Sequence, residues 1–189
     1  NGDKSRVQSS TTDRMCTAVS SYCVMRSGTH YAEFRITGFP RIGIVRPMPN
    51  LDTAAYATYC FFVGSTYLKP AFLAQRSEGW SVCNVHACEY CCETGNMGWT
   101  DWDEEDNEDD NQGIEWDGMK ECGTGDTVGL LLNLDVGTLT IYKNNRRLGV
   151  MKDGLSGSYC WYVSVAGDGG GVDGAREAAA IQRGTLLPL

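Results

Sequence analysis

Apolar residues recur with a period of two at Val128, Leu130, Leu132 and Leu134, the pattern of a strand with one buried face. Asp135-Val136-Gly137 interrupts it with turn chemistry, and Leu139 and Ile141 then resume the alternation, which predicts a β-hairpin. Asn144-Asn145, two residues tolerant of positive φ, predicts a second tight turn into a third strand through Leu148. Residues 126 to 150 therefore read as an antiparallel meander. Upstream, Ala32, Phe34 and Ile36 fall on one face of a strand from His30 to Thr37, with Glu33 and Arg35 on the other. Residues Gly38 to Arg41 turn the chain into a strand from Ile42 to Arg46, closed by Pro47, which cannot donate to a sheet ladder. Cys160 to Val165 is strand-like, and Ala178 to Arg183 suits a last strand, although its alanines also suit a helix.

Many short strands, frequent glycines and no long amphipathic helix predict an all-β chain, a β-sandwich of two antiparallel sheets with long irregular loops. At 189 residues one domain is expected. Residues 47 to 79 carry scattered aromatics with weak periodicity. Trp80, Trp99, Trp102, Trp116 and Trp161 are expected in the core or at its rim.

The net charge of −8 is local, because Asp101, Asp103, Glu104, Glu105, Asp106, Glu108, Asp109 and Asp110 account for all of it. The other 16 acids balance the 16 bases. A nucleic-acid partner is disfavoured, since phosphate binding needs a basic stripe. The acidic insertion at 101 to 113 is expected to be a solvated loop that steers a basic partner rather than supporting the fold. It is no EF-hand, having Asp106 and Gln112 where Gly and Glu are required. The glycine-rich loop at 167 to 174 lacks the Gly-Lys-Ser or Gly-Lys-Thr of a phosphate loop.

Nine cysteines form an odd set in a chain without an N-x-S/T acceptor, so reduced thiols and an intracellular, cytoplasmic setting are expected. Cys83, His86, Cys88, Cys91 and Cys92 hold zinc-type donors, but they crowd within ten residues where structural zinc joins two separated pairs. On a strand His86, Cys88 and Cys92 would share one face and Cys83 and Cys91 the other. No cofactor or metal is expected. His30 lies in a predicted strand, no Gly-x-Ser-x-Gly elbow occurs, and no nucleophile is paired with a base, so the chain is not expected to be an enzyme. It has no apolar run of about 20 residues, as a bilayer span would need. Starting at Asn1 without a signal-like apolar core, it reads as a piece of a longer chain.

The run Leu132-Asn133-Leu134-Asp135-Val136-Gly137-Thr138-Leu139-Thr140-Ile141-Tyr142-Lys143-Asn144-Asn145, followed by Leu148-Gly149-Val150, resembles the SPRY (B30.2-type) signature. Ser27 to Phe34, Ile42 to Val45, Gly154-Leu155 and Tyr162 to Val165 resemble the flanking segments of that family, so the resemblance covers roughly residues 20 to 184. It implies a lead-in segment at 1 to 19, a domain at 20 to 184 and a tail at 185 to 189. Asp135 and Gly137 stand where the turn needs an amide-capping side chain and a positive φ. The resemblance implies a concanavalin-like jelly-roll whose edge loops bind a peptide or a folded protein surface, with no shared catalytic set. It marks Arg46, Pro47, Phe72, Trp80, Ala166, Gly167, Asp168 and Gly169 as partner-binding candidates. The acidic insertion departs from the family core, and the glycine-rich loop stands where some relatives present a bulky aromatic. Two other readings stay open: a structural subunit built into a larger complex, and a metal-binding protein using the cysteine cluster or the acidic loop.

Overall fold

The computed structural model describes residues 6–8, 16–20, 23–51, 62–64, 66–102, 113–165 and 178–183. The acidic run from Asp103 to Asp110 and the loop from Ala166 through Gly174 lie outside the described residues. Eleven strands are described: β1 (Arg6–Gln8), β2 (Cys16–Val19), β3 (Thr29–Thr37), β4 (Arg41–Val45), β5 (Ala87–Cys91), β6 (Met97–Thr100), β7 (Thr127–Asn133), β8 (Thr138–Lys143), β9 (Arg146–Lys152), β10 (Cys160–Val165) and β11 (Ala178–Arg183). Among the described residues between β4 and β5 lie a short helix, α1 (Lys69–Leu73), and 3-10 turns at Thr66–Leu68 and Glu78–Trp80.

Two antiparallel sheets result, in the orders β1-β11-β3-β7-β8-β9 and β2-β10-β4-β5-β6. The meander is present as β7-β8-β9, with Leu130 opposite Ile141 and Leu132 opposite Leu139. Asn144 and Asn145 take φ of 49° and 63°, so their tolerance of the left-handed region makes the β8-β9 turn. The β7-β8 turn departs from the expected chemistry in one respect. Its amides at Asp135 and Val136 are capped by the Asn133 carboxamide oxygen, at 3.0 and 3.3 Å. The Asp135 carboxylate instead accepts the Gly28 N–H, 107 residues away, and so ties the turn to the start of β3. Gly137 has φ 74°, and a Cβ there would meet the Leu155 carbonyl oxygen at 2.5 Å. At the other end of the chain β11 pairs with β3, which resolves the Ala178 to Arg183 ambiguity in favour of a strand.

The main core lies between the sheets. Phe34, Ile36, Leu130, Leu132 and Ile141 of the six-stranded sheet meet Ile42, Ile44, Cys88, Tyr90, Trp161 and Val163 of the other. A second cluster covers the outer face of the five-stranded sheet, where Val45, Ala87, Cys160 and Tyr162 pack against Phe62, Leu68, Phe72, Trp80 and Trp102. Every residue of β10 is consequently buried, and both faces of that strand are dry. Phe62, Phe72 and Trp80 of the β4-β5 connection supply much of this cover, with Trp102 from beyond β6, and their contact with one sheet face rather than one strand fits their weak periodicity. α1 spans five residues without a side-chain N-cap, and the burial of its Phe72 holds it in place.

Candidate interaction site

Arg46 leaves β4 and turns inward, where its side chain is 0% exposed. The guanidinium donates to the carbonyls of Ser156 (2.8 Å), Ser158 (3.2 Å) and Cys83 (2.9 Å) and lies 4.2 Å from the Tyr159 ring centre. No carboxylate pairs with it among the described residues. Burial lowers its pKa, against a smaller opposing pull from Tyr159 and Cys83. The cation thus ties residue 83 to the segment 156–158 from below.

Trp80, also 0% exposed, adds a second tie by donating its indole N–H to the Pro47 carbonyl at 3.1 Å. Ser158 N–H donates to the Gly79 carbonyl at 2.7 Å, and the Ser81 and Ser156 hydroxyls lie 3.1 Å apart. Above this scaffold opens a cleft of about 260 Å³. Val24, Pro47, Met48, Leu51 and Cys160 give it apolar walls, and the exposed Arg26 and Ser77 also line it.

The structure separates the sequence-derived candidates. Pro47 is half-buried and lines the cleft. Arg46, Phe72 and Trp80 are each 0% exposed and present no surface to a partner, so their assignment as contact residues is corrected to support. A buried cation satisfied by three carbonyls and a buried indole bonded to a carbonyl shape the loops that carry the cleft. Phe72 stacks instead within the outer aromatic layer, 5.2 Å from Phe62 and 4.8 Å from Trp102 between ring centres. Ala166, Gly167, Asp168 and Gly169 fall outside the described residues. Val24, Met48, Leu51 and Cys160 were not singled out from sequence. The one available signal was Met48 and Leu51 as apolar residues flanking Pro49 just after a strand.

The cysteine cluster also sorts differently from the strand-face expectation. β5 begins only at Ala87 and a turn follows Cys91, so the alternation does not extend to His86 or Cys92. Cys88 and Cys92 enter the main core, while His86 packs in the outer layer with its ring centre 5.1 Å from Trp80 and 5.3 Å from Trp102. Among the described residues no three His, Cys, Asp or Glu side chains gather into a metal-binding group. Trp80, Trp102 and Trp161 are buried, and Trp99 and Trp116 are half-buried against the main core, as expected.

His86 carries a pH prediction. Both ring nitrogens are buried without a well-formed hydrogen bond. Burial first, and the Arg46 charge second, hold the imidazole down to about 4 from its ordinary 6.5. A depressed pKa means that the unfolded chain binds the proton more readily. The stability present above about pH 6.5 is therefore lost progressively as pH falls towards 4, by roughly 2 kcal/mol after allowing for solvent screening. In His86→Gln, neutral throughout, the melting temperature should fall less than in wild type between pH 6.5 and 4. Parallel curves would remove His86 from the acid response.

Comparison with protein-family models and with curated protein sequences gives no match. Among solved structures, the chain is similar to the SPRY domain of human HERC1, with a TM-score of 0.60 and 12% identity over 96% of this chain and 90% of that one. It is similar also to a human SPRY domain, with a TM-score of 0.54 and 15% identity over 99% of this chain and 96% of that one. At such identities the likeness is one of backbone architecture. The two antiparallel sheets, the β7-β8-β9 meander and this correspondence over nearly the whole chain give one conclusion: the chain has the SPRY fold.

Proposed function

We propose that this domain is a non-catalytic protein-interaction module whose cleft beside Pro47 takes an apolar side chain of a partner peptide. The observation that carries the reading is the cleft itself: apolar walls from Val24, Pro47, Met48 and Leu51, seated on loops locked by Arg46 and Trp80. A rigid scaffold presenting loop residues is how such folds carry recognition. At about 260 Å³ the cleft lies below the range of about 300 to 1,000 Å³ usual for cofactor and drug-sized ligands. One or two side chains suit it better. Arg26 is exposed, lines the cleft and makes no ion pair among the described residues, which favours an acidic residue beside the apolar anchor.

A random-peptide display library panned on the purified domain tests this reading. The enriched peptides should share an apolar residue next to Asp or Glu. Met48→Glu, which charges the cleft wall, should weaken them at least about tenfold, since a desolvated contact of this kind is worth more than about 1.4 kcal/mol. Arg26→Glu should weaken them less at high salt than at low salt. Enriched peptides that bind a folded Met48→Glu variant as tightly as wild type would refute the assignment of the cleft.

A further inference from the structure

We propose that Cys83 is a peroxide-reactive modification site, built by the Arg46 guanidinium beneath it and by the Val85 amide and Tyr159 hydroxyl around its sulfur. Three observations support it. First, Arg46 is a wholly buried cation without a carboxylate partner among the described residues, and its Nε is left with no hydrogen-bond acceptor. A buried charge in that condition favours any anion formed beside it. The Arg46 side chain bonds to the Cys83 carbonyl at 2.9 Å, which places its charge beside the residue.

Second, the sulfur has the donors a thiolate needs. The Val85 N–H donates to Cys83 Sγ at 3.4 Å, and the Tyr159 hydroxyl, whose one proton goes to the Val85 carbonyl at 2.9 Å, lies 3.7 Å from the sulfur and reaches a thiolate by rotating that proton toward it. In the protonated form the thiol donates to the Gly154 carbonyl at 3.1 Å, so ionisation costs that one bond and keeps the one from the Val85 N–H. Third, the loop is held so that the thiol stays in place. Ser81 adopts φ 63° and ψ −172°, a region that residues other than glycine rarely enter, and its hydroxyl is bonded to Ser156. Cys83 remains half-exposed beside Val82, which is 90% exposed, so a small oxidant can reach it.

Three buried cysteines differ. Burial raises the thiols of Cys88 and Cys122 and pushes Cys160 up to about 11. For Cys83 the hydrogen bonds from Val85 and Tyr159 and the Arg46 charge together outweigh its burial and lower it. Cys23 is exposed and serves as an internal reference. In the step proposed, the Cys83 thiolate attacks one oxygen of hydrogen peroxide. The S–O bond forms as the O–O bond breaks, and sulfur is oxidised by two electrons to the sulfenic acid. The second oxygen leaves as hydroxide and takes a proton from solvent.

The test exposes the intact protein to hydrogen peroxide in the presence of dimedone and follows the labelling of each cysteine by peptide mass spectrometry. At pH 7 Cys83 should label at least about threefold faster than Cys23. Each tenfold gain in thiolate fraction is offset by lower nucleophilicity and returns about threefold in rate. In concentrated urea the two rates should converge. Labelling of Cys23 as fast as or faster than Cys83 in the folded protein would overturn the proposal, as would a preference that survives in urea. In a folded Arg46→Gln variant the preference should vanish, and its persistence would remove the cation from the site. Should that variant fail to fold, Tyr159→Phe takes its place, with a reduced Cys83 rate expected and an unchanged rate counting against the cluster.

Discussion

Gly43→Ala is expected to cost the domain its cooperative fold. Gly43 sits in the middle of β4, paired with Tyr162 of β10 on one side and Glu89 of β5 on the other. A Cβ at this position would lie 2.0 Å from the Cys88 carbonyl oxygen and 2.9 Å from the Glu89 Cα. Both are backbone atoms, so no rotamer change relieves the clash, and ordinary C···O contacts need about 3.3 Å or more. β4 lies between β10 and β5, and moving it away from Cys88 breaks one ladder while compressing the other. Overpacking against mobile side chains costs about 1 to 3 kcal/mol, and an immovable backbone raises that above about 4. Such a loss approaches the whole stability of a domain, about 5 to 15 kcal/mol. Gly154→Ala is the control, because Gly154 has φ 69° but nothing within 4 Å of its would-be Cβ. It should lose only about 1 to 2 kcal/mol. Urea unfolding followed by circular dichroism distinguishes the two. A Gly43→Ala protein melting within a few degrees of wild type would show that β4 and β5 can separate without loss of the sheet.

Trp102→Ala is expected to destabilise the domain by about 3 to 5 kcal/mol, the range for deleting a large aromatic from a packed interior. The indole is 0% exposed and centred 4.8 Å from Phe72, 5.3 Å from His86 and 5.7 Å from Trp80. Its N–H donates to the Phe62 carbonyl at 2.8 Å, and truncation removes that buried hydrogen bond as well as opening a cavity. Val150→Ala, at a site 42% exposed on the edge strand β9, should change stability by no more than about 0.5 kcal/mol. The urea midpoint measures both. A Trp102→Ala loss below about 1 kcal/mol would mean that the aromatic layer outside the five-stranded sheet contributes little to the global fold. If the loss is as large as expected, peptide binding should weaken too, because Trp80 belongs to the same layer and holds the Pro47 carbonyl at the cleft.

The residues from Thr127 to Lys152 disclose their structure because the core-facing positions Val128, Leu130, Leu132, Leu139 and Ile141 alternate with mostly polar or more exposed ones and each turn is set by adjacent residues. Period two and Asn-Asn chemistry are local signals, and both are readable along the chain. β3 is legible for the same reason, with Ala32, Phe34 and Ile36 buried and Arg35 exposed between them. β10 carries no alternation, since its two faces are covered by two different layers, and the outer layer comes from residues far away in sequence. The candidate site follows the same division. Pro47 ends β4 as the chain chemistry requires, but an arginine before it reads as a surface residue, because burying a cation alone is costly. Only the fold brings the Cys83, Ser156 and Ser158 carbonyls, 37 to 112 residues away, to within hydrogen-bonding distance of one guanidinium. Alternation and turn type were therefore determined along the chain, whereas the burial of Arg46, Phe72 and Trp80 and the position of the cleft depended on long-range packing, which no local period encodes.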